Sequence, residues 1–131
     1  MTENMSKTIL ITGASSGIGE GCARKFASQG ARLLLNARST DKLNALAEVL
    51  KEKYNAECFV MPFDVCDRQS AAAALNALPQ EWKAIDVLIN NAGLAIGVDK
   101  EHEGNPDEWD VMIDTNVKGV LYVTRIIARK M

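Results

Sequence analysis

The sequence predicts an α/β fold built on a doubly wound parallel sheet. Three observations carry this reading. Short apolar runs alternate with amphipathic helical patterns along the chain. The runs are dense in Ile, Leu and Val, as suits strands covered on both faces. A glycine-rich turn, "ITGASSGIGEG" at 11–21, joins the first run to the first helical pattern. At 131 residues, one domain spanning 1–131 is the natural expectation.

Lys7–Thr12 is the first strand and enters the glycines directly. Gly17–Ser28 reads as a helix, with Ile18, Cys22 and Phe26 four apart on one face, and Gly30 ends it. Arg32–Asn36, "RLLLN", is the second strand. Thr40 or Asp41 can cap a helix carrying Leu43, Leu46, Leu50 and Tyr54. Glu57–Pro62, "ECFVMP", is the third strand, and Asp67 caps a helix through the alanine-rich "QSAAAALNAL". Ile85–Asn90, "IDVLIN", is the fourth strand. Asn105 caps a long last helix, with Pro106 at its first position and Asp107 and Glu108 where the macrodipole favours them. Right-handed crossovers put the first two helices on one face and the third on the other. The expected strand order is therefore 3-2-1-4, with a switch point between strands 1 and 4, as in the N-terminal half of a Rossmann-type fold.

The formal net charge of −2 gives no electrostatic footprint for nucleic acid or an anionic membrane. No apolar run approaches the roughly 18–20 residues that span a bilayer. The N-terminal "MTENMSKTILITG" lacks a signal-peptide pattern. Cys22, Cys58 and Cys66 are odd in number and no pair has metal-ligand spacing, so they read as reduced, structural thiols of a cytosolic protein without a metal site. His102, within "DKEHEGNPDE", reads as a solvated loop histidine.

Gly13, Gly17 and Gly19 stand as G-x-x-x-G-x-G between a strand and a helix. Such glycines let the chain turn sharply, let backbone N–H groups approach an anion, and let the helix pack closely on the sheet. The helix N-terminus then favours a phosphate, and Ser15 and Ser16 add hydroxyl donors. The spacing is neither the G-x-G-x-x-G fingerprint nor a P-loop, since no Lys-Ser/Thr follows.

"TGASSGIG" resembles the cofactor signature of the short-chain dehydrogenase/reductase family. "DV" (Asp64-Val65), "NNAG" (Asn90–Gly93) and "DTNVKG" (Asp114–Gly119) agree with that family in order and spacing, so the resemblance covers the whole chain. It implies that Gly13, Ser15, Ser16, Gly17, Ile18 and Gly19 bind a nicotinamide cofactor. Ala37 stands where NAD-preferring members carry Asp, and Arg38 follows it. A guanidinium grips a 2′-phosphate with paired donors, so the expected cofactor is NADP, with Ser39 assisting. The alternative is a solvated surface arginine. The resemblance sets Asp64 and Val65 beside the adenine; the plainer alternative is that Asp64 simply begins a turn. It sets Asn91, Ala92 and Gly93 along the ribose, where the asparagines also tie strands together.

Asn116 lies in a helix whose other positions are largely apolar: Trp109, Met112, Ile113, Val117, Val120, Leu121 and Ile127. An amide there must have its hydrogen bonds met. It matches the Asn that joins Ser, Tyr and Lys in the family's catalytic tetrad and distorts the helix. The other three are missing. Tyr54 is followed four residues on by Cys58 and Tyr122 by Ile126, so no Tyr-x-x-x-Lys is present, and no fifth strand supplies the Ser.

The chain is thus expected to be the cofactor-binding half of an NADP-dependent oxidoreductase, truncated before strand 5 and inactive alone. The reaction would interconvert a hydroxyl and a carbonyl on a small molecule. Sequence likeness points to the branch acting on 3-hydroxy acids such as serine. The alternatives are a non-catalytic NADP-binding fragment and an interaction module that needs a partner chain. An unpaired fourth strand predicts self-association or low stability, and the resemblance implies a homo-oligomer, a dimer or tetramer at full length.

Overall fold

The computed structural model describes residues 6–93 and 104–131; residues 1–5 and 94–103, with His102, lie outside them. The strands are β1 (Thr8–Ile11), β2 (Arg32–Ala37), β3 (Cys58–Pro62) and β4 (Val87–Ile89). The helices are α1 (Gly17–Ser28), α2 (Thr40–Tyr54), α3 (Arg68–Asn76), α4 (Pro106–Ile113) and α5 (Gly119–Lys130). The four strands run parallel in the order β3-β2-β1-β4, as the crossover argument requires.

Alternation along the strands divides the core in two. Ile9, Ile11, Leu33 and Leu35 pack with Ala23, Ala27, Leu43, Leu46 and Leu50 of α1 and α2. Leu10 and Leu34, between them in sequence, pack with Ala71 and Leu75 of α3 and Val123 and Ile127 of α5. Leu10 pairs with both Leu34 and Leu88 across the ladders. Both faces of β1 and β2 are therefore buried, and their sequences carry no polar alternation.

α1 spans the expected residues but turns a different face inward. Its buried stripe is Gly19, Ala23 and Ala27, while Ile18 is 78% exposed and Cys22 and Phe26 are half-buried. Small residues let the helix axis approach the sheet; the bulkier row flanks the contact. α1 ends with Gly30 at φ +84, and the Gly30 and Ala31 amides donate to Ala27 and Phe26 carbonyls, a paired closure that glycine permits without strain.

The cap of α2 is Ser39, one residue before the expected Thr40 or Asp41; its Oγ accepts from Lys42 N at 3.3 Å. Leu43, Leu46 and Leu50 are buried as their spacing predicts. Asp67 caps α3 through Ser70 N, and Asn105 caps α4 through Asp107 N, both as expected. The long last helix is broken into α4 and α5 by a π turn over Asp114–Lys118, with Asn116 at its centre.

Arg32 fastens the sheet end opposite the glycine turn. Its Nη1 donates to Thr8 Oγ1 (3.2 Å) and the Glu81 carbonyl (3.0 Å), and its guanidinium lies 4.0 Å over the Trp82 ring. No described helix is long and apolar enough to cross a membrane.

Candidate functional site

A cleft of about 490 Å³ opens where the carboxyl ends of all four strands meet, at the switch point of the sheet. Its floor is the glycine turn. Gly13 has φ +64 and lies so close to β4 that an added Cβ would come 2.8 Å from Ala92 Cα. Gly17 has φ +57 with open space around it, so backbone conformation alone requires glycine there. Gly19 is the close-approach residue: an added Cβ would fall on the Gly13 carbonyl and the Asn91 side chain. Ser15, Ser16 and Ile18 line the cleft; Gly17 and Gly19 support the turn without lining it. The Ser16 side chain makes no capping bond to α1, so it does not take up the first N–H groups of the helix.

Thr12, which the sequence reading passed over, joins the floor to β4. Its Oγ1 accepts from Asn91 N and from Ala92 N, each at 3.0 Å. Asn91 Nδ2 donates to the Gly13 carbonyl at 3.0 Å, and Asn90 Nδ2 to Thr124 Oγ1 at 2.9 Å. The asparagines thus tie strand ends and a helix together. Asn91, Ala92 and Gly93 form one wall of the cleft.

The opposite wall comes from β2 and β3. Ala37, Arg38 and Ser39 line it, and Lys42, one turn into α2, adds a second cation. Arg38 is exposed, whereas Ala37 is buried. Lys42 gave no sequence signal, because a lysine on the polar side of a helix is commonplace. Asp64 and Val65 follow β3 and line the cleft beside Phe63. Asp64 does begin a turn: its Oδ1 accepts from Cys66 N at 2.9 Å and its carbonyl from Asp67 N at 2.9 Å. The same carboxylate borders the cleft, so the two readings of Asp64 are compatible.

Val65 is pressed from behind by α5, where a Cβ on Gly119 would come 2.7 Å from Val65 Cγ2. Cys66 Sγ and Thr115 Oγ1 are 2.8 Å apart, which links this turn to the π turn. Burial pushes the Cys66 thiol above its ordinary range, against the lowering effect of that hydrogen bond. Thr115 is buried and lines the cleft; the neighbouring Asn116 is exposed and does not line it. Asn116 instead stands beside the Asn91–Gly93 wall, its Oδ1 2.8 Å from the place a Cβ on Gly93 would occupy.

The cleft suits an elongated anionic ligand. Two cations stand at one end, the glycine turn and the start of α1 in the middle, and a carboxylate acceptor along the β3 side. Among the described residues no three His, Cys, Asp or Glu side chains converge as a metal site.

Residues 7–131 match the family described as short chain dehydrogenase. The chain is 38% identical over 119 residues to the NADP-dependent 3-hydroxy acid dehydrogenase YdfG of Escherichia coli (strain K12), covering 91% of this chain and 46% of that protein. It is 40% identical over 120 residues to the serine 3-dehydrogenase of Agrobacterium fabrum, covering 92% and 47% respectively. Among solved structures, L-sorbose reductase from Gluconobacter frateurii, complexed with NADPH and L-sorbose, superposes with a TM-score of 0.90 at 30% identity, over 100% of this chain and 50% of that one. The chain spans about half the length of the curated relatives it matches.

Proposed function

The chain belongs to the short chain dehydrogenase family, and from that premise we propose that residues 1–131 form one NADP-binding unit of an oxidoreductase that interconverts a hydroxyl and a carbonyl. The observation that carries this reading is convergence: the glycine turn, the Arg38–Lys42 pair and the Asp64-Val65 turn line one cleft. Gly13, Gly17 and Gly19 keep the phosphate floor open, and Ser15 and Ser16 donate to phosphate oxygens. Ile18, at 78% exposure on the cleft side, offers an apolar contact. Arg38, with Ser39 and Lys42, takes the 2′-phosphate, which Asp in place of Ala37 would repel. Asp64 accepts from the adenine amine and Val65 covers the ring. Asn91, Ala92 and Gly93 follow the ribose on the β4 side.

NADP supplies or accepts the hydride when bound. This chain's part is to bind, orient and exclude water. Asn116 is the one member of the family's tetrad present, and its place beside Gly93 suits holding a proton-relay water rather than moving a proton itself, since an amide does not titrate. Its position in a π turn fits a functional distortion, as such turns commonly mark. Likeness to the 3-hydroxy acid and serine dehydrogenases supports a small 3-hydroxy acid as substrate.

The oxidoreductase reading is tested when serine or 3-hydroxypropionate is offered with NADP and absorbance at the reduced-nicotinamide band is followed. Cofactor binding itself is tested by calorimetric titration of NADP and NAD. Preference for NADP supports the reading, and absence of binding removes it.

We also assign the exposed row Ile113, Val117 and Leu121 to a contact between copies of the protein. Three free thiols support a cytoplasmic setting.

A further inference from the structure

Asn36 is a polar side chain that follows three buried leucines near the end of the strand "RLLLNA", and it is only 1% exposed. Burying an amide without partners is costly, so its hydrogen bonds must be accounted for. Its Nδ2 donates to two carbonyls, Met61 O at 3.0 Å and Phe63 O at 3.1 Å. These two carbonyls flank Pro62, which has no N–H, at the point where β3 ends. Phe63 O immediately precedes Asp64 and Val65, and Phe63 N donates to the Ala37 carbonyl at 3.2 Å. The main chain of Asn36 faces the other wall: its carbonyl accepts from Ala14 N, in the glycine turn, at 2.8 Å. Asn36 itself lines the cleft, and Arg38 lies two residues further on.

One residue therefore touches three parts of the cleft. We infer that Asn36 is a positioning residue for the adenosine 2′-phosphate half of the cofactor: by clamping the carbonyls on either side of Pro62 it sets the spacing between the Asp64-Val65 turn and the Arg38 arm. Apolar residues could fill the same core volume, but none could hold Phe63 O in place beyond the last ladder bond. Asn36 acts through Phe63 and needs no contact with the ligand. The inference rests on the NADP reading above.

The test titrates adenosine 2′,5′-bisphosphate and NADP into the chain and its variants Asn36→Ala and Asn36→Ser, with thermal melts alongside. Asn36→Ala should weaken both ligands by the same factor, about tenfold for the lost hydrogen bonds. Asn36→Ser, which keeps one donor, should fall between Asn36→Ala and wild type. A merely structural role would lower the melting temperature and leave both affinities of the folded protein unchanged, which would overturn the inference. So would a loss confined to NADP, because it would lie outside the adenosine half. If wild type binds neither ligand, the NADP reading fails and this inference falls with it; if wild type binds and Asn36→Ala binds equally, only the inference falls.

Discussion

The side-chain amide of Asn91 lies over Gly19. Its Nδ2 donates to the Gly13 carbonyl at 3.0 Å, and together these two groups fill the space that a Cβ on Gly19 would need. The end of β4, the turn after β1 and the first turn of α1 are thereby packed into one contact. A methyl group at Gly19 would force the helix away from the strand and break the Asn91 bond.

Gly19→Ala should accordingly destabilise the fold by about 1–3 kcal/mol through overpacking and abolish cofactor binding. Gly21→Ala is its control. Gly21 is exposed, two residues further along α1, with no atom within 4 Å of an added Cβ. That substitution should stabilise α1 by about 0.5–1 kcal/mol. Urea denaturation of both variants reads the opposite signs.

Arg38→Ala should weaken NADP about tenfold to a hundredfold, the scale of charge-assisted hydrogen bonds, and leave NAD unchanged. Ala37→Asp should turn the preference toward NAD by repelling the 2′-phosphate. Equal NADP affinity in wild type and Arg38→Ala would remove Arg38 from this role. Calorimetric titration of both cofactors provides the comparison.

Burial pushes the Cys58 thiol up to about 11. Between the ordinary thiol pKa of about 8.5 and that value, the unfolded chain releases a proton that the folded chain keeps. The contribution is fully present below the ordinary thiol pKa and is lost as pH rises through the folded one. Urea midpoints should therefore drop from pH 8 to pH 10.5 more steeply in wild type than in Cys58→Ala. Parallel slopes in the two proteins would refute this.

Ile113, Val117 and Leu121 repeat every four residues and all are more than half exposed. Sedimentation should show self-association that Leu121→Glu reduces without lowering NADP affinity. A wild-type monomer across the accessible concentration range would count against a contact at this face.

Strand order was legible because crossover handedness leaves few alternatives once the elements are known. The inward face of α1 was not. Apolar spacing favoured Ile18, Cys22 and Phe26, whereas close packing on the sheet selects Gly19, Ala23 and Ala27. The α2 cap shifted to Ser39 for a local reason: several residues in "ARSTD" can cap, and hydrogen-bond geometry chooses among them. Of the cleft, the motif-bearing turns could be read directly, since each follows a strand. Lys42 and Thr115 could not, because they reach the cleft from helices. Asn36 did leave a signal, an amide directly after three leucines in a strand, that only its buried partners explain.

The π turn has one more consequence. The Gly119 amide reaches back five residues, to the Asp114 carbonyl, so this turn holds one residue more than an α-helical turn does. α4 and α5 can be regarded as a single helix carrying a surplus residue, taken up within one turn. Deleting Asn116 would let the ladder close in the ordinary way while Val123 and Ile127 continue to face the sheet. Such a shortened chain should melt higher than the intact one. On the proton-relay role proposed above for Asn116 it would also lose that role, so helical regularity and the proposed chemistry would compete for the same residue.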